Sequence, residues 1–298
     1  MPESSYLVMK HLFFALRPKL WIKNCLIFTP LIFGKKLFLF PTNLKLVIGF
    51  FLFSLTASVA YLINDIIDIE KDKRHPIKRS RPIPSGKVSI RQARIMAFFL
   101  ATVSVTLSFM LSAYFGWISI IYLIFNYFYT KIFKKIVIID VFCLAVFFLV
   151  RIVVGGILAK TKLSHWVIFM TTLLALFLGF NKRRQELSMN VGRKDIHSPE
   201  LIQYSIYFID KIVVITTSLI AIAYVLYTVD ARTVADSGSK YLVFTMPFVY
   251  YGIFRYLFLI RKNNSYGDPT FILFSDIKMQ INILAWLITC IALIYLQI

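Results

Sequence analysis

Residues 44–72 read LKLVIGFFLFSLTASVAYLINDIIDIEKD, an apolar run that closes on a dense set of acids. An α-helix needs about 20 mostly apolar residues to cross the hydrocarbon core of a bilayer, and Leu44 to Ile66 supplies that length. Runs of the same kind recur along the whole chain. Of the 298 residues 59% are hydrophobic and 16% charged, with a mean hydropathy of +0.75, whereas a soluble domain carries about 25% charged residues. A soluble enzyme is excluded, and the composition predicts an all-α polytopic membrane bundle.

The hydropathy pattern predicts about nine transmembrane helices, near residues 20–36, 44–66, 93–113, 115–131, 137–159, 164–181, 211–229, 240–260 and 279–297. Pro30 and Gly34 interrupt the first, and a very short connection at Ala113 to Gly116 separates the third from the fourth. No linker or low-complexity stretch divides the chain, so residues 1–298 read as one integral membrane domain. Its extramembrane mass is concentrated in loops at about 66–93 and 181–210. With the N-terminus inside, 25 Lys and Arg fall on the inner side and 7 on the outer, with Arg151 and Arg255 left within spans. The positive-inside rule therefore puts the N-terminus and both long loops in the cytoplasm of a cell-membrane protein. The first residues carry Lys10, Arg17, Lys19 and Lys23 instead of a cleavable signal peptide. Cys25, Cys143 and Cys290 show no metal or disulfide spacing and read as packing residues.

Four of the 14 acids, Asp65, Asp68, Glu70 and Asp72, fall within eight residues at the inner end of the second span. Offsets of four and eight from Asn64 put Asn64, Asp68 and Asp72 on one helical face, with Asp65 at its edge. Carboxylates at a helix C-terminus oppose the macrodipole, so helix stability does not select them there. Grouped oxygen ligands suit Mg²⁺, which binds through one or two carboxylates plus substrate phosphates. Lys71, Lys73, Arg74, Lys78, Arg79, Arg81 and Lys87 follow at once, with Pro76, Pro82 and Pro84 restricting the backbone. A metal site beside a shaped cationic loop predicts a diphosphate site, in which Lys and Arg donate charge-assisted hydrogen bonds.

These residues resemble the UbiA superfamily of intramembrane prenyltransferases. Asn64, Asp65, Asp68 and Asp72 match its first signature, Asn-Asp-x-x-Asp-x-x-x-Asp, and Arg81-Pro82-Ile83-Pro84-Ser85-Gly86 looks like the Arg-Pro-x-x-Ser-Gly that follows. The resemblance covers essentially the whole chain and implies a nine-span fold. A narrower likeness is to the branch of decaprenyl-phosphate phosphoribosyltransferases. It rests on Arg17-Pro18-Lys19-Leu20-Trp21-Ile22-Lys23-Asn24, on Tyr129-Thr130-Lys131-Ile132-Phe133-Lys134 followed by Asp140, and on Lys182-Arg183-Arg184-Gln185-Glu186-Leu187. Ordinary members carry a second Asp-x-x-x-Asp motif near the end of span six. Here that place reads Asn181-Lys182-Arg183-Arg184-Gln185-Glu186, which fits an additional phosphate better than a second Mg²⁺.

The expected reaction is Mg²⁺-dependent transfer of phosphoribosyl from 5-phosphoribosyl 1-diphosphate to a polyprenyl phosphate. Asn64, Asp65, Asp68 and Asp72 would be metal ligands, the three aspartates acting in catalysis. Lys23, Tyr61, Lys78, Arg79 and Arg81 would bind the donor, and Tyr129, Lys131, Lys134, Arg151 and Lys182 to Arg184 the remaining phosphates. Arg151 follows Asp140 by eleven residues, on the same face and about 16 Å deeper, where an unpartnered cation is costly; Arg255 reads as a snorkelling side chain. No general base is required, because the acceptor phosphate is already anionic. The other readings are a prenyltransferase with an aromatic acceptor and a transporter for phosphorylated lipids. The partners are the two substrates and the membrane, with no nucleic acid, and a homo-oligomer is left open.

Overall fold

The computed structural model describes residues 5–190, 203–262 and 275–296. The part of the expected second loop at 191–202, and residue 297 of the expected last span, lie outside the described residues. The helices are α1 (Ser5–Ala15), α2 (Thr29–Phe33), α3 (Phe40–Ile67), α4 (Ile69–Arg74), α5 (Ile90–Leu111), α6 (Ala113–Lys131), α7 (Ile139–Ala159), α8 (His165–Asn190), α9 (Ile206–Val229), α10 (Ala231–Ser237), α11 (Met246–Lys262) and α12 (Ile277–Leu296). Short 3-10 helices cover Pro18–Phe28, Lys78–Ser80, Phe133–Lys135 and Tyr241–Thr245. Seven helical segments among the described residues are long and apolar enough to cross a membrane. Large apolar side chains such as Phe98, Met110, Tyr114 and Phe254 are exposed on them, as lipid-facing surfaces require. The protein is an all-helical, multi-pass membrane protein.

The expected first span is not a continuous α-helix. Residues Pro18–Phe28 form a 3-10 helix and only Thr29–Phe33 is α-helical. Pro18 and Pro30 each lack an N–H for an α ladder, and Arg17 ahead of the segment takes a left-handed φ of 54°. An eleven-residue 3-10 run is unusual, since its hydrogen bonds are poorly aligned, and side chains hold it. Trp21 Nε1 donates to Ser58 Oγ at 3.0 Å, and Asn24 Nδ2 donates to Ser54 Oγ at 2.9 Å. Arg151 Nε donates to Asn24 Oδ1 at 2.7 Å. One turn further along α7, a Cβ added at Gly155 would stand 2.1 Å from the Ile27 backbone carbonyl. The two backbones are thus in direct contact, an approach only a glycine permits.

The chain divides into two compact units. The first comprises 1–31, 36–143 and 150–162, the second 32–35, 144–149 and 163–298. In the first, α3 packs against α5, α6 and the Pro18–Phe28 segment. A buried cluster of Ala15, Leu16, Val59, Leu62, Ile83, Val88, Ala93, Ala97 and Leu100 closes the end where α3 terminates. Ile83 and Val88 come from the loop after α4, which is therefore folded onto the bundle. It turns at Gly86, whose φ of +80° suits glycine. Ser89 and Gln92 then form a reciprocal capping box that starts α5. Lys36 Nζ caps the C-terminus of α7, donating to the carbonyls of Ala159 and Lys160 at 2.8 and 2.9 Å.

In the second unit α8 pairs with α9 and α11 with α12. Tyr224 joins three elements, its hydroxyl lying 2.6 Å from Thr245 Oγ1 and accepting from Trp286 Nε1 at 2.8 Å. Arg255 is tied to Asp276, its Nε donating at 3.2 Å and its Nη2 at 2.8 Å. Of the cysteines, Cys143 and Cys290 are buried while Cys25 is exposed, so Cys25 is not the packing residue expected.

Replacing Gly155 with Ala forces α7 away from the Ile27 carbonyl and should cost about 1–3 kcal/mol, as overpacking does. Gly252→Ala meets only the Asn282 side-chain amide, at 3.1 Å, and should be far milder. Thermal unfolding in detergent checks this, and equal melting temperatures for the two variants would refute the backbone contact.

Candidate active site

The acid cluster is built where α3 stops. The helix ends at Ile67, with Asp68 at φ −93° and ψ 8° before α4 begins at Ile69. Backbone bonds nevertheless bridge the break, from Asp68 N to Asn64 O at 2.9 Å and from Asp72 N to Asp68 O at 2.8 Å. Asn64, Asp68 and Asp72 each meet a different partner.

Asp65 is 1% exposed and is paired with both Arg17 and Arg81. Arg81 Nη1 lies 3.1 Å from Asp65 Oδ1 and 2.8 Å from Asp72 Oδ2, so one guanidinium nitrogen joins two carboxylates. Asp68 instead receives Lys134, whose Nζ is 2.5 Å from each carboxylate oxygen. Asn64 Oδ1 accepts from Thr130 Oγ1 at the end of α6, at 3.3 Å. The Arg17 guanidinium also lies 5.2 Å from the centre of the Tyr61 ring, a cation–π contact one helical turn before Asn64 and Asp65. Four segments of the first unit, before residue 20, at 61–72, at 81 and at 130–134, thus meet at one end of the bundle.

The charge balance is tense. Burial pushes the Asp72 carboxyl above its ordinary range, Arg81 and Lys78 pull it down, and the neighbouring Asp65 and Asp68 push it up again. Arg81 is lowered by burial and by Arg17, against the opposing pull of Asp65 and Asp72. A guanidinium remains charged in any protein, so this site concentrates both signs in a poorly solvated place.

Other expected residues are distributed more widely. Lys78 is near enough to act on Asp72, whereas Arg79 is exposed in the short Lys78–Ser80 turn. Lys23 and Tyr129 are partly buried, on the Pro18–Phe28 segment and on α6. Lys131 is exposed and lies over the Tyr127 ring at 5.4 Å. Arg151 is 4% exposed and sits between the rings of Phe53 and Tyr122, at 5.3 and 6.0 Å, while holding Asn24. In the second unit Arg183 pairs with Glu186, and Arg184 donates to Asp210 at 2.6 Å. Arg17 and Thr130 were not among the residues singled out as ligands. Both stand inside the quoted motifs, but motif membership does not show that Arg17 reaches back across 48 positions to Asp65.

Among the described residues no group of three or more His, Cys, Asp or Glu forms a ready cage for an ion. The donors present are hard oxygens, from three carboxylates and one amide. That set fits Mg²⁺, which retains waters and completes its shell with substrate phosphate, and Asn64, Asp65, Asp68 and Asp72 are the residues that could hold it.

The UbiA prenyltransferase family model matches residues 31–284, most of the chain. The chain belongs to that family. It is similar to decaprenyl-phosphate phosphoribosyltransferases of Corynebacterium glutamicum, at 30% identity over 95% of this chain and 86% of the relative, and of Mycolicibacterium smegmatis, at 32% over 94% and 91%. Its fold is similar to that of a UbiA homologue from Archaeoglobus fulgidus solved with GPP and Mg²⁺, with a TM-score of 0.71, 17% identity and coverage of 96% and 99%. The protein is therefore a transferase of the membrane-embedded UbiA family.

Because Asp65 is buried between two guanidinium groups, removing one leaves a partly compensated buried charge. Arg17→Ala should destabilise the protein, and Asp65→Asn added to it should recover part of the loss, with a coupling of about 1–3 kcal/mol in a double-mutant cycle. Strictly additive effects on unfolding would dissolve the proposed pairing.

Proposed function

We propose that this protein transfers the 5-phosphoribosyl group of 5-phosphoribosyl 1-diphosphate to a polyprenyl phosphate, releasing diphosphate. The observation that carries the reading is the meeting of Asp65, Asp68 and Asp72 with Arg17, Arg81 and Lys134 at one helix end. The near full-length similarity to enzymes named for phosphoribosyl transfer to decaprenyl phosphate supports the same substrates. A Mg²⁺ held by Asn64, Asp65, Asp68 and Asp72 would neutralise charge on the departing diphosphate.

The chain's own residues supply the rest. Arg81, Lys134 and Arg17 sit beside the carboxylates and are placed to move their hydrogen bonds onto diphosphate oxygens, with Lys78, Arg79 and Lys23 adding positive field. These preorganised cations favour the state in which charge has moved to the leaving group. Loss of diphosphate leaves an oxocarbenium-like ribosyl carbon, which the lipid phosphate attacks from the opposite face. That phosphate is already anionic at neutral pH, so no side chain has to remove a proton from it. Lys131, Tyr129 and Arg151 are the further candidates in the same unit for the acceptor and 5-phosphate groups. The Lys/Arg distribution supports an inner-membrane protein whose acidic end faces the cytoplasm.

The test uses purified protein, Mg²⁺, labelled phosphoribosyl diphosphate and polyprenyl phosphates of several lengths, with label followed into organic solvent. Transfer should occur and should vanish in EDTA. It should fall by about 100-fold or more in Asp68→Ala, the scale expected when electrostatic stabilisation of a transition state is lost. Lys134→Ala should lower it less than Asp68→Ala. No lipid-phase label, together with alkylation of an aromatic acid from an isoprenyl diphosphate, would move the protein to the ordinary prenyltransferases. Counter-transport without any new product would make it a transporter.

A further inference from the structure

α1 is too short to cross a bilayer, yet it turns large apolar side chains outward. Its 11 residues rise about 16 Å, roughly half the hydrocarbon thickness. Tyr6, Met9, Lys10, Phe13 and Phe14 follow at intervals of three and four residues and are exposed on one side of the helix. Leu12, Ala15 and Leu16 lie on the other side, against the buried cluster of the first unit. A helix bathed in water does not hold Tyr6, Met9 and Phe13 more than half exposed on one face. On α5, Arg91, Arg94, Ile95, Phe98 and Phe99 follow at the same intervals on one exposed side. The two arginines come first and the three apolar residues after them. From Arg91 to Phe99 the helix rises about 12 Å. Leu12 of α1 and Gln92, Ile95, Met96 and Phe99 of α5 line a groove between the two helices, so its apolar wall begins within one turn of the two cations.

We propose that the groove between α1 and α5 is a binding site for an anionic phospholipid. One acyl chain lies along Leu12, Ile95, Met96 and Phe99, and the headgroup phosphate meets Arg91 and Arg94. Two observations select this occupant. Ile95 and Phe99 belong both to the groove and to the exposed, lipid-facing side of α5, so a lipid enters it without leaving the bilayer. The charge is complementary as well, because guanidinium groups bind phosphate through a planar fork and basic residues at a membrane surface attract anionic lipids. A zwitterionic headgroup brings a cation of its own against the two arginines. The acid cluster draws its cations from a different set, Arg17, Arg81 and Lys134, which favours a resident phospholipid over the polyprenyl phosphate acceptor. A chain seated there fastens α1 to α5. Because α1 leads through the buried Leu16 to Arg17, the lipid also steadies the segment that delivers this guanidinium to Asp65.

The experiment titrates the purified, delipidated full-length protein in neutral detergent with phosphatidylglycerol, with phosphatidylcholine of the same chains and with glycerol phosphate, counting bound lipid by native mass spectrometry. Phosphatidylglycerol should bind about tenfold or more tighter than phosphatidylcholine, the scale set by two basic residues against one extra negative charge. Glycerol phosphate alone, without a chain to fill the groove, should not compete. Replacing both arginines, Arg91→Gln with Arg94→Gln, should erase the preference and leave phosphatidylcholine as it was. Phe99→Ala should weaken both lipids, whereas Phe254→Ala, an exposed residue of α11, should change neither. The altered side chains are all exposed, so the variants should fold. Equal binding of the two lipids, or a preference that survives loss of both arginines, would overturn the site. Displacement of bound phosphatidylglycerol by an equimolar amount of polyprenyl phosphate would give the groove to the acceptor and overturn the phospholipid assignment.

Discussion

The site depends on a buried carboxylate that cannot be left alone. Asp65 is almost wholly removed from solvent, and a carboxylate in that position requires positive charge and hydrogen bonds. Arg17 and Arg81 supply both. To do so, the segment after α1 must cross over α3 and the loop after α4 must fold back onto the same helix end. The left-handed backbone at Arg17, the burial of Ile83 and Val88 and the capping box at Ser89 all serve to bring two guanidinium groups to one acid.

The same arrangement suits chemistry on an anionic substrate. Each acid has a cation of the chain against it, so oxygen donors for a cation and hydrogen-bond donors for an anion stand side by side. Neither the acids nor the bases could be buried there without the other set. Such a constellation is costly as a stabilising device, which is the physical reason to read it as functional. Arg151 is a contrasting case. It is also buried, but the contacts described above are with two aromatic rings and with Asn24, which itself holds the Pro18–Phe28 segment.

The second unit carries its charge differently. Arg184 and Arg261 face Asp210, and Arg255 faces Asp276, so these three arginines of α8 and α11 are tied to acids from other segments of the unit. The side of α8 bearing Asn181 and Gln185 is uncharged and only partly satisfied. A single helix thus presents ion-paired cations and neutral amides on different faces, as a helical period of 3.6 residues allows for consecutive positions.

Hydropathy alone determined that this chain is an all-helical membrane protein, because burying apolar side chains in lipid depends only on how many of them stand in a row. The acids of residues 65–72 and the cations after them were legible for the same reason: they are local in sequence, and their residue types define hard oxygen donors and anion binders. The first segment was misread as an α-helical span, since its apolar content carries no record of the Asn24, Ser54, Ser58 and Gly155 contacts that stabilise a 3-10 path. Only the tertiary structure decided which cation meets which acid. Arg17 with Asp65, Lys134 with Asp68 and Thr130 with Asn64 join positions 48 to 66 residues apart, and such pairings follow from how helices pack, which no local pattern of residues encodes.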